Sequence, residues 1–318
     1  MRISGLLGML FFVAKVSAQT CCTGGTPLLG SFITPSLDSR GIKVSFTYSH
    51  NNNHDLFSGS DEIEDSFLQR KVNSTLLQID YGLFDNISIS LIAPYLFQNE
   101  TISQSGNSQT FTNNGLSDIS FWINYNKVFP SLDISIAGGV KLPTGSTNTT
   151  SNNIPLPLSL QTGSGSWDGG VNLQAIWYPF TSKKWSFQNQ LGLKINTKGK
   201  SFEAHPNYRF GNLAQILSAV SYNYTIGTLV TNTFLGGVFQ NRAQDEFNGG
   251  FENENTGGEW INVFIGQSLS LSEGFDISLN GQIPIYRSLE GLQLTTSYQA
   301  SLVLSYTIPS RDEKDIFN

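Results

Sequence analysis

A few charged and aromatic side chains in this chain stand where period-two segments would turn them inward. The clearest stretch runs from Gly115 to Gly145 (GLSDISFWINYNKVFPSLDISIAGGVKLPTG). Ile119, Phe121, Ile123 and Tyr125 share one face of its first half, and Asp118, Ser120, Trp122 and Asn124 share the other. If the hairpin turns near Phe129–Pro130, Asp118 falls opposite Lys141. If a later hairpin turns near Thr181, Asp168 falls opposite Lys194. With Lys43, these are the charges expected on the polar face. Such pairs suit a weakly charged constriction that sets solute preference, or cross-strand ion pairs that hold the barrel rim in register. Trp122 and Phe264 share the inward parity; they would line a path for an apolar or aromatic solute, or pack against the N-terminal segment.

Two motifs bracket the stretch Pro143–Gly165, the most proline- and serine-rich in the protein: Leu142-Pro143-Thr144-Gly145 and Gln161-Thr162-Gly163-Ser164-Gly165. A connection bracketed in this way either folds inward and narrows a pore or remains a plain exposed loop. Pro143, Gly145, Gly163 and Gly165 are its candidate hinges, glycine supplying the permissive backbone.

Other chemistry finds little support. His50, His54, Asp55, Asp61, Glu62, Glu64 and Asp65 have the right types for a divalent cation, but their spacing matches no defined site and reads as a solvated acidic loop. No Gly-x-Ser-x-Gly, HExxH or phosphate-binding loop occurs, so neither catalysis nor a cofactor is expected. A net charge of −6 argues against nucleic acid as a partner.

The elements that would position these residues are strands. Beyond the N-terminus there is no apolar run long enough for a spanning helix. Hydrophobic residues make up 39% of the 318, charged residues only 13%, and aromatics are frequent. That balance suits a barrel with a wet interior and a lipid-facing exterior. Twelve antiparallel segments alternate: 41–49, 71–81, 87–97, the two halves of the opening hairpin, 167–178, 185–195, 213–224, 229–240, 259–271, 275–285 and 294–307. Connections after even-numbered strands are short turns; those after odd-numbered ones are mostly long and rich in Gly, Ser and Asn, as in outer-membrane barrels. Tyr81, Phe84, Phe129, Trp177, Phe180, Trp185, Tyr222, Tyr224, Phe275 and Tyr306 cluster beside the short turns, as a girdle at the lipid–water boundary would.

The chain divides into four parts. Residues 1–18 read as a secretory signal, with Arg2, the apolar run Gly5–Ala14 and the small-x-small site Val16-Ser17-Ala18. Residues 19–38 are an irregular lead-in suited to a small plug and hold the only cysteines, Cys21 and Cys22. The barrel occupies 39–308, and a charged tail 309–318.

YGLFDNISISLIAPY (Tyr81–Tyr95), GLSDISF (Gly115–Phe121), GGVKLPTG (Gly138–Gly145) and LSLQTGSGSWDGG (Leu158–Gly170) together resemble the outer-membrane transporter family labelled "MetA-pathway of phenol degradation". The resemblance is clearest over Gln69–Tyr178. It implies a kinship with barrels that admit long-chain fatty acids and aromatic hydrocarbons. The expectation is a channel or transporter in the outer membrane of a Gram-negative bacterium, with membrane lipid and a small solute as its partners. The resemblance leans the solute toward apolar or aromatic compounds, and the neutral polar lumen toward water-soluble ones. The rival expectation is a non-conducting surface barrel whose long loops serve adhesion or assembly.

Overall fold

The computed structural model describes residues 37, 39–64, 67–104, 107–151, 153–199, 207–247 and 250–310. The expected signal segment, Cys21 and Cys22, and most of the N-terminal lead-in and charged tail lie outside them.

Among the described residues the architecture is one closed antiparallel barrel. Its wall consists of β1 (Ile42–Gly59), β2 (Leu68–Phe84), β3 (Ile87–Gln104), β4 (Ser120–Val128), β5 (Leu132–Lys141), β6 (Asp168–Trp177), β7 (Trp185–Ile195), β8 (Leu213–Ile226), β9 (Leu229–Arg242), β10 (Gly258–Ser272) and β11 (Phe275–Ile308). Each pairs with its neighbours in chain order, and β11 closes the ring on β1. The 34-residue run β11 is two-legged. Its first leg pairs with β10 as far as Leu289, its second pairs with β1 from Leu292, and Gly291 between them has φ +62°. Eleven continuous runs therefore make twelve crossings, the number the alternation predicts. Closure leaves no backbone edge unpaired in lipid.

The period-two pattern sorts the faces. Phe46, Leu77, Ile89, Phe121, Ile136, Val171, Leu191, Ile216 and Ile265 all point outward and are exposed. Ser45, Thr47, Gln78, Ser90, Asn124, Asn172, Gln174, Gln190 and Gln282 are buried on the inner face. At the short-turn end Phe84, Phe129, Trp177, Phe180, Trp185 and Tyr306 are exposed, with Trp185 and Tyr222 4.7 Å apart ring to ring. This is the expected girdle. A second exposed set, including Tyr48, Phe97, Trp167 and Tyr286, marks the loop end.

Two predicted loops are largely strand. The sequence pattern ends the first strand at Ser49, whereas β1 continues to Gly59. The stretch expected to be a loop over 98–114 instead continues β3 to Gln104 and returns as Asn107–Leu116, which pairs back on it. Apolar alternation stops where lipid stops, but the ladder does not. Polar cross-strand pairs support it there: Ser49 Oγ–Ser301 Oγ at 2.8 Å, His50 Nδ1–Asn73 Oδ1 at 2.7 Å and Thr101 Oγ1–Thr110 Oγ1 at 3.0 Å. At roughly 3.3 Å per residue, the 18 residues of β1 stand well above the 9 of β4.

The ladder is interrupted beside Pro94. Between Leu116 and Ser120 the pairing with β3 slips by one residue, from Tyr95↔Leu116 to Ile92↔Ser120. Pro94, which has no N–H to give, lies beside the gap, and its carbonyl accepts the Ser117 N–H at 2.8 Å. The Thr144 hydroxyl repairs the other side, accepting the Ile119 N–H at 2.9 Å and donating to the Ser117 carbonyl at 3.0 Å.

Candidate functional site

Asp118 occupies that interruption. Freed from regular pairing, its carboxylate gathers donors from Lys141, Gly145 and Ser164. Oδ1 accepts the Gly145 N–H at 2.9 Å; Oδ2 accepts Lys141 Nζ at 2.8 Å, the Ser164 N–H at 2.9 Å and the Ser164 hydroxyl at 2.6 Å. Lys141 also faces Asp168 Oδ2 at 2.5 Å and donates to Ser164 Oγ. Asp168 Oδ1 accepts the Ser166 hydroxyl and the Thr197 N–H, each at 2.9 Å. One ammonium thus joins two buried carboxylates, the end of β5, the start of β6 and the bracket of the third outer loop, Pro143–Gly165.

The sequence pattern names these charges but misassigns the register by two residues in both hairpins. Ser120, not Asp118, is opposite Lys141, and Gly170, not Asp168, is opposite Lys194. The first turn centres on Pro130–Ser131, closed by the Phe129 N–H to the Leu132 carbonyl. The second is a longer turn in which Lys183 has φ +50°. Asp118 nevertheless reaches Lys141 because a lysine stem spans the diagonal between neighbouring strands. The expected Asp168–Lys194 pair gives way to Asp168–Lys141, its direct partner across β5 and β6.

The third outer loop turns inward. Its 3-10 turn, Leu158–Leu160, is buried, Leu160 completely. Asn113 Nδ2 donates to the Leu160 carbonyl at 2.6 Å and the Ser117 hydroxyl to the Thr162 carbonyl at 2.6 Å. At the predicted hinges, Gly145 and Gly163 touch backbone to backbone, and Gly165 has φ +68°. Leu158 packs on Tyr208, Phe210 and Phe247 of the later outer loops. There Asp245 accepts the Tyr208 hydroxyl at 2.5 Å and the Gly211 N–H at 2.7 Å, and pairs with Arg242 at 2.5 Å.

Beneath this roof lies a cavity of about 200 Å³. Asp118, Trp122, Lys141, Asp168 and Lys194 all line it, so the structure brings five of the six predicted lumen residues together. Phe264 is not among its lining residues and is buried with Leu217 and Val238 one step toward the short-turn end. The indole of Trp122 lies across β5 and β6 at Gly139 and Gly170; a Cβ at Gly170 would stand 2.6 Å from its Cη2. Thr144 and Ser164 stand in the two bracketing motifs, but nothing in the sequence marks them as partners of Asp118 and its neighbours; Arg242, Asp245 and Trp260 also belong to the site, Trp260 sharing the inward parity of Phe264 and Arg242 that of Gln240. Four cations, Arg70, Lys141, Lys194 and Arg242, and two carboxylates, Asp118 and Asp168, line the cavity; Arg70 and Arg242 are paired with Glu100 and Asp245 behind its wall. The histidine-rich stretch lies in β1, where Asp55 pairs with Arg287 at 2.5 Å, and no metal-ligating cluster occurs among the described residues.

A family model described as "Putative MetA-pathway of phenol degradation" matches residues 68–288. The chain belongs to this family. No curated protein matches it. Among solved structures, the COG4313 outer membrane channel from Pseudomonas putida F1 superposes with a TM-score of 0.63, covering 87% of this chain and 100% of that one at 13% identity. At that identity the likeness is one of fold. A Pseudomonas aeruginosa FadL homologue is more distant, with TM-score 0.42 and 9% identity over 84% of this chain and 90% of that one. The closed barrel, its outward apolar face and its two aromatic girdles make this family member a bacterial outer-membrane protein.

Proposed function

We propose that the protein is a passive channel for small solutes, with the stretch Pro143–Gly165 as its constriction. The observation that carries this reading is the inward loop, held by Asp118, Lys141 and Ser164 over a polar cavity inside a closed barrel. A loop fastened there narrows the route without filling it, and side chains of both charge signs line the space beneath it. The names of the family and of the P. putida channel are compatible with transport and do not bear on the solute. A lumen of serines, asparagines and glutamines favours water-soluble compounds over the apolar or aromatic ones that the resemblance implies.

The test is single-channel conductance of the refolded chain, intact and with residues 146–160 replaced by a short Gly/Ser linker. Steady conductance that rises on replacement supports the reading. Silence in both proteins overturns it in favour of a non-conducting surface barrel, for which the tall outer hairpin of β3 and Asn107–Leu116 would be the working part.

A further inference from the structure

We infer that the outward face of β1, β2, β3 and the returning strand Asn107–Leu116, above the loop-end girdle, is a docking surface for lipopolysaccharide. The part that docks is the phosphorylated saccharide headgroup of this outer-leaflet glycolipid. The inference rests on the outer-membrane setting and is independent of conduction. On this side the ladder climbs from Tyr48 and Tyr95 of the girdle to Ser103 without a register shift. Its outward residues therefore stand in rows. One row is Asn52, Lys71, Asn99 and Thr112, the last three exposed. Above it the hydroxyls of Thr101 and Thr110 meet at 3.0 Å, and those of Ser103 and Ser108 at 3.0 Å.

From Phe97 to Ser103 the strand rises about 20 Å, and four strands side by side are about 14 Å wide. The face is continuous below with the lipid-facing wall, and it is not repeated on β4 and β5, which start at Ser120 and stop at Lys141. Outside a barrel at this height the outer leaflet presents sugar and phosphate rather than acyl chains. The rows suit that chemistry. Their amides and hydroxyls offer donors and acceptors to sugar hydroxyls, and the Lys71 ammonium, exposed in their middle, offers a charge-assisted hydrogen bond to a phosphate. No carboxylate stands in these rows, although the chain carries a net charge of −6. Glu100 is turned inward onto Arg70, and Asp61 and Glu62 lie farther up, opposite Ser58 and Phe57. Between Phe97 and Phe67, which is exposed at the level of Ser103, the face has no large apolar side chain. It lacks the aromatic anchor that a protein interface places at its centre.

The experiment uses the full-length chain refolded in detergent, with rough-type lipopolysaccharide (lipid A and inner core) as the probe and phosphatidylglycerol as the contrast. Native mass spectrometry counts the glycolipid retained and gives its apparent Kd. Lys71→Gln should weaken binding about fivefold, the loss expected for one cation beside an anionic headgroup, and Lys71→Glu about tenfold. Lys127→Glu, an exposed site at the short-turn end, should leave it unchanged. Dephosphorylated glycolipid should bind the native chain and Lys71→Gln alike, which ties the ammonium to phosphate. Heat-modifiable mobility on gels confirms that each variant is folded. Equal retention by the native chain and Lys71→Glu, or phosphatidylglycerol held as tightly as lipopolysaccharide, overturns the surface. So does a dimer in sedimentation that Lys71→Glu dissolves, which would give the face to a second copy. Lysine-dependent glycolipid binding by a silent barrel would remove only the channel; conductance without such binding would remove only the docking surface.

Discussion

Gly145 and Gly163 meet with no side chain between them: a Cβ on Gly145 would stand 2.6 Å from the Gly163 Cα. The contact closes the neck of the inward loop, and the Gly163 N–H reaches the Ser146 carbonyl at 2.8 Å across it. The obstruction is backbone and cannot rotate away, so the pair acts as a steric latch.

Gly163→Ala should therefore spread the neck at a cost of about 1–3 kcal/mol, typical of overpacking. The expected result is a barrel that still folds but conducts more than the native one. An alanine variant with unchanged conductance and unchanged susceptibility of the loop to protease would show that the contact holds nothing in place.

Lys141 answers two carboxylates at once, and its side chain is only 16% exposed. Lys141→Met should destabilise the refolded barrel by about 3 kcal/mol, the low end of the range for breaking a buried pair. It should also shift the reversal potential in a salt gradient toward cation selectivity, because Asp118 and Asp168 then stand unanswered. Adding Asp118→Asn should recover part of the stability. Urea titration followed by tryptophan emission measures the first effect, and planar-bilayer recording the second.

How far the sequence discloses this arrangement depends on the signal. Alternation of Val171, Leu173 and Trp177 with Asn172 and Gln174 identifies β6 and its faces without help, because lipid on one side and water on the other impose opposite demands on successive residues. The same signal fails above the membrane, where both faces are wet; His50–Gly59 therefore reads as loop while its backbone stays in the ladder. Register is harder still. Shifting a hairpin by two residues preserves every face, so the inward assignments of Asp118 and Lys194 survive while their opposite partners change. Asp245 and Ser164 lie in loops with no period to read, and only the fold brings them to Arg242 and Lys141.

The outer roof depends on Asp245, which is 1% exposed and accepts from Tyr208, Gly211 and Arg242. Asp245→Ala would leave a buried guanidinium and a buried phenol without that acceptor. The expected outcome is rapid cleavage within 243–257 by limited proteolysis, with the barrel fragment intact. Cleavage no faster than in the native protein would mean that the packing of Leu158 on Tyr208 and Phe210 suffices to hold the roof.

Leu191 and Gln190 are neighbours on β7 that face opposite solvents, Leu191 38% and Gln190 3% exposed. Leu191 lies between Leu173 on β6 and Ile216 on β8, in the middle of the outward apolar face. Arginine placed there must be drawn from water into hydrocarbon, at a cost of about 2–4 kcal/mol near the bilayer midplane. Val263→Arg on β10 should behave alike, since Val263 shares the outward parity of the exposed Ile265. Gln190→Lys meets a wet lumen instead, and its cost should fall well short of that. Folding into lipid vesicles, titrated with guanidinium, compares the three. Equal costs for Leu191→Arg and Gln190→Lys would mean that the two faces of β7 do not see different solvents, and the barrel wall would have to be reassigned.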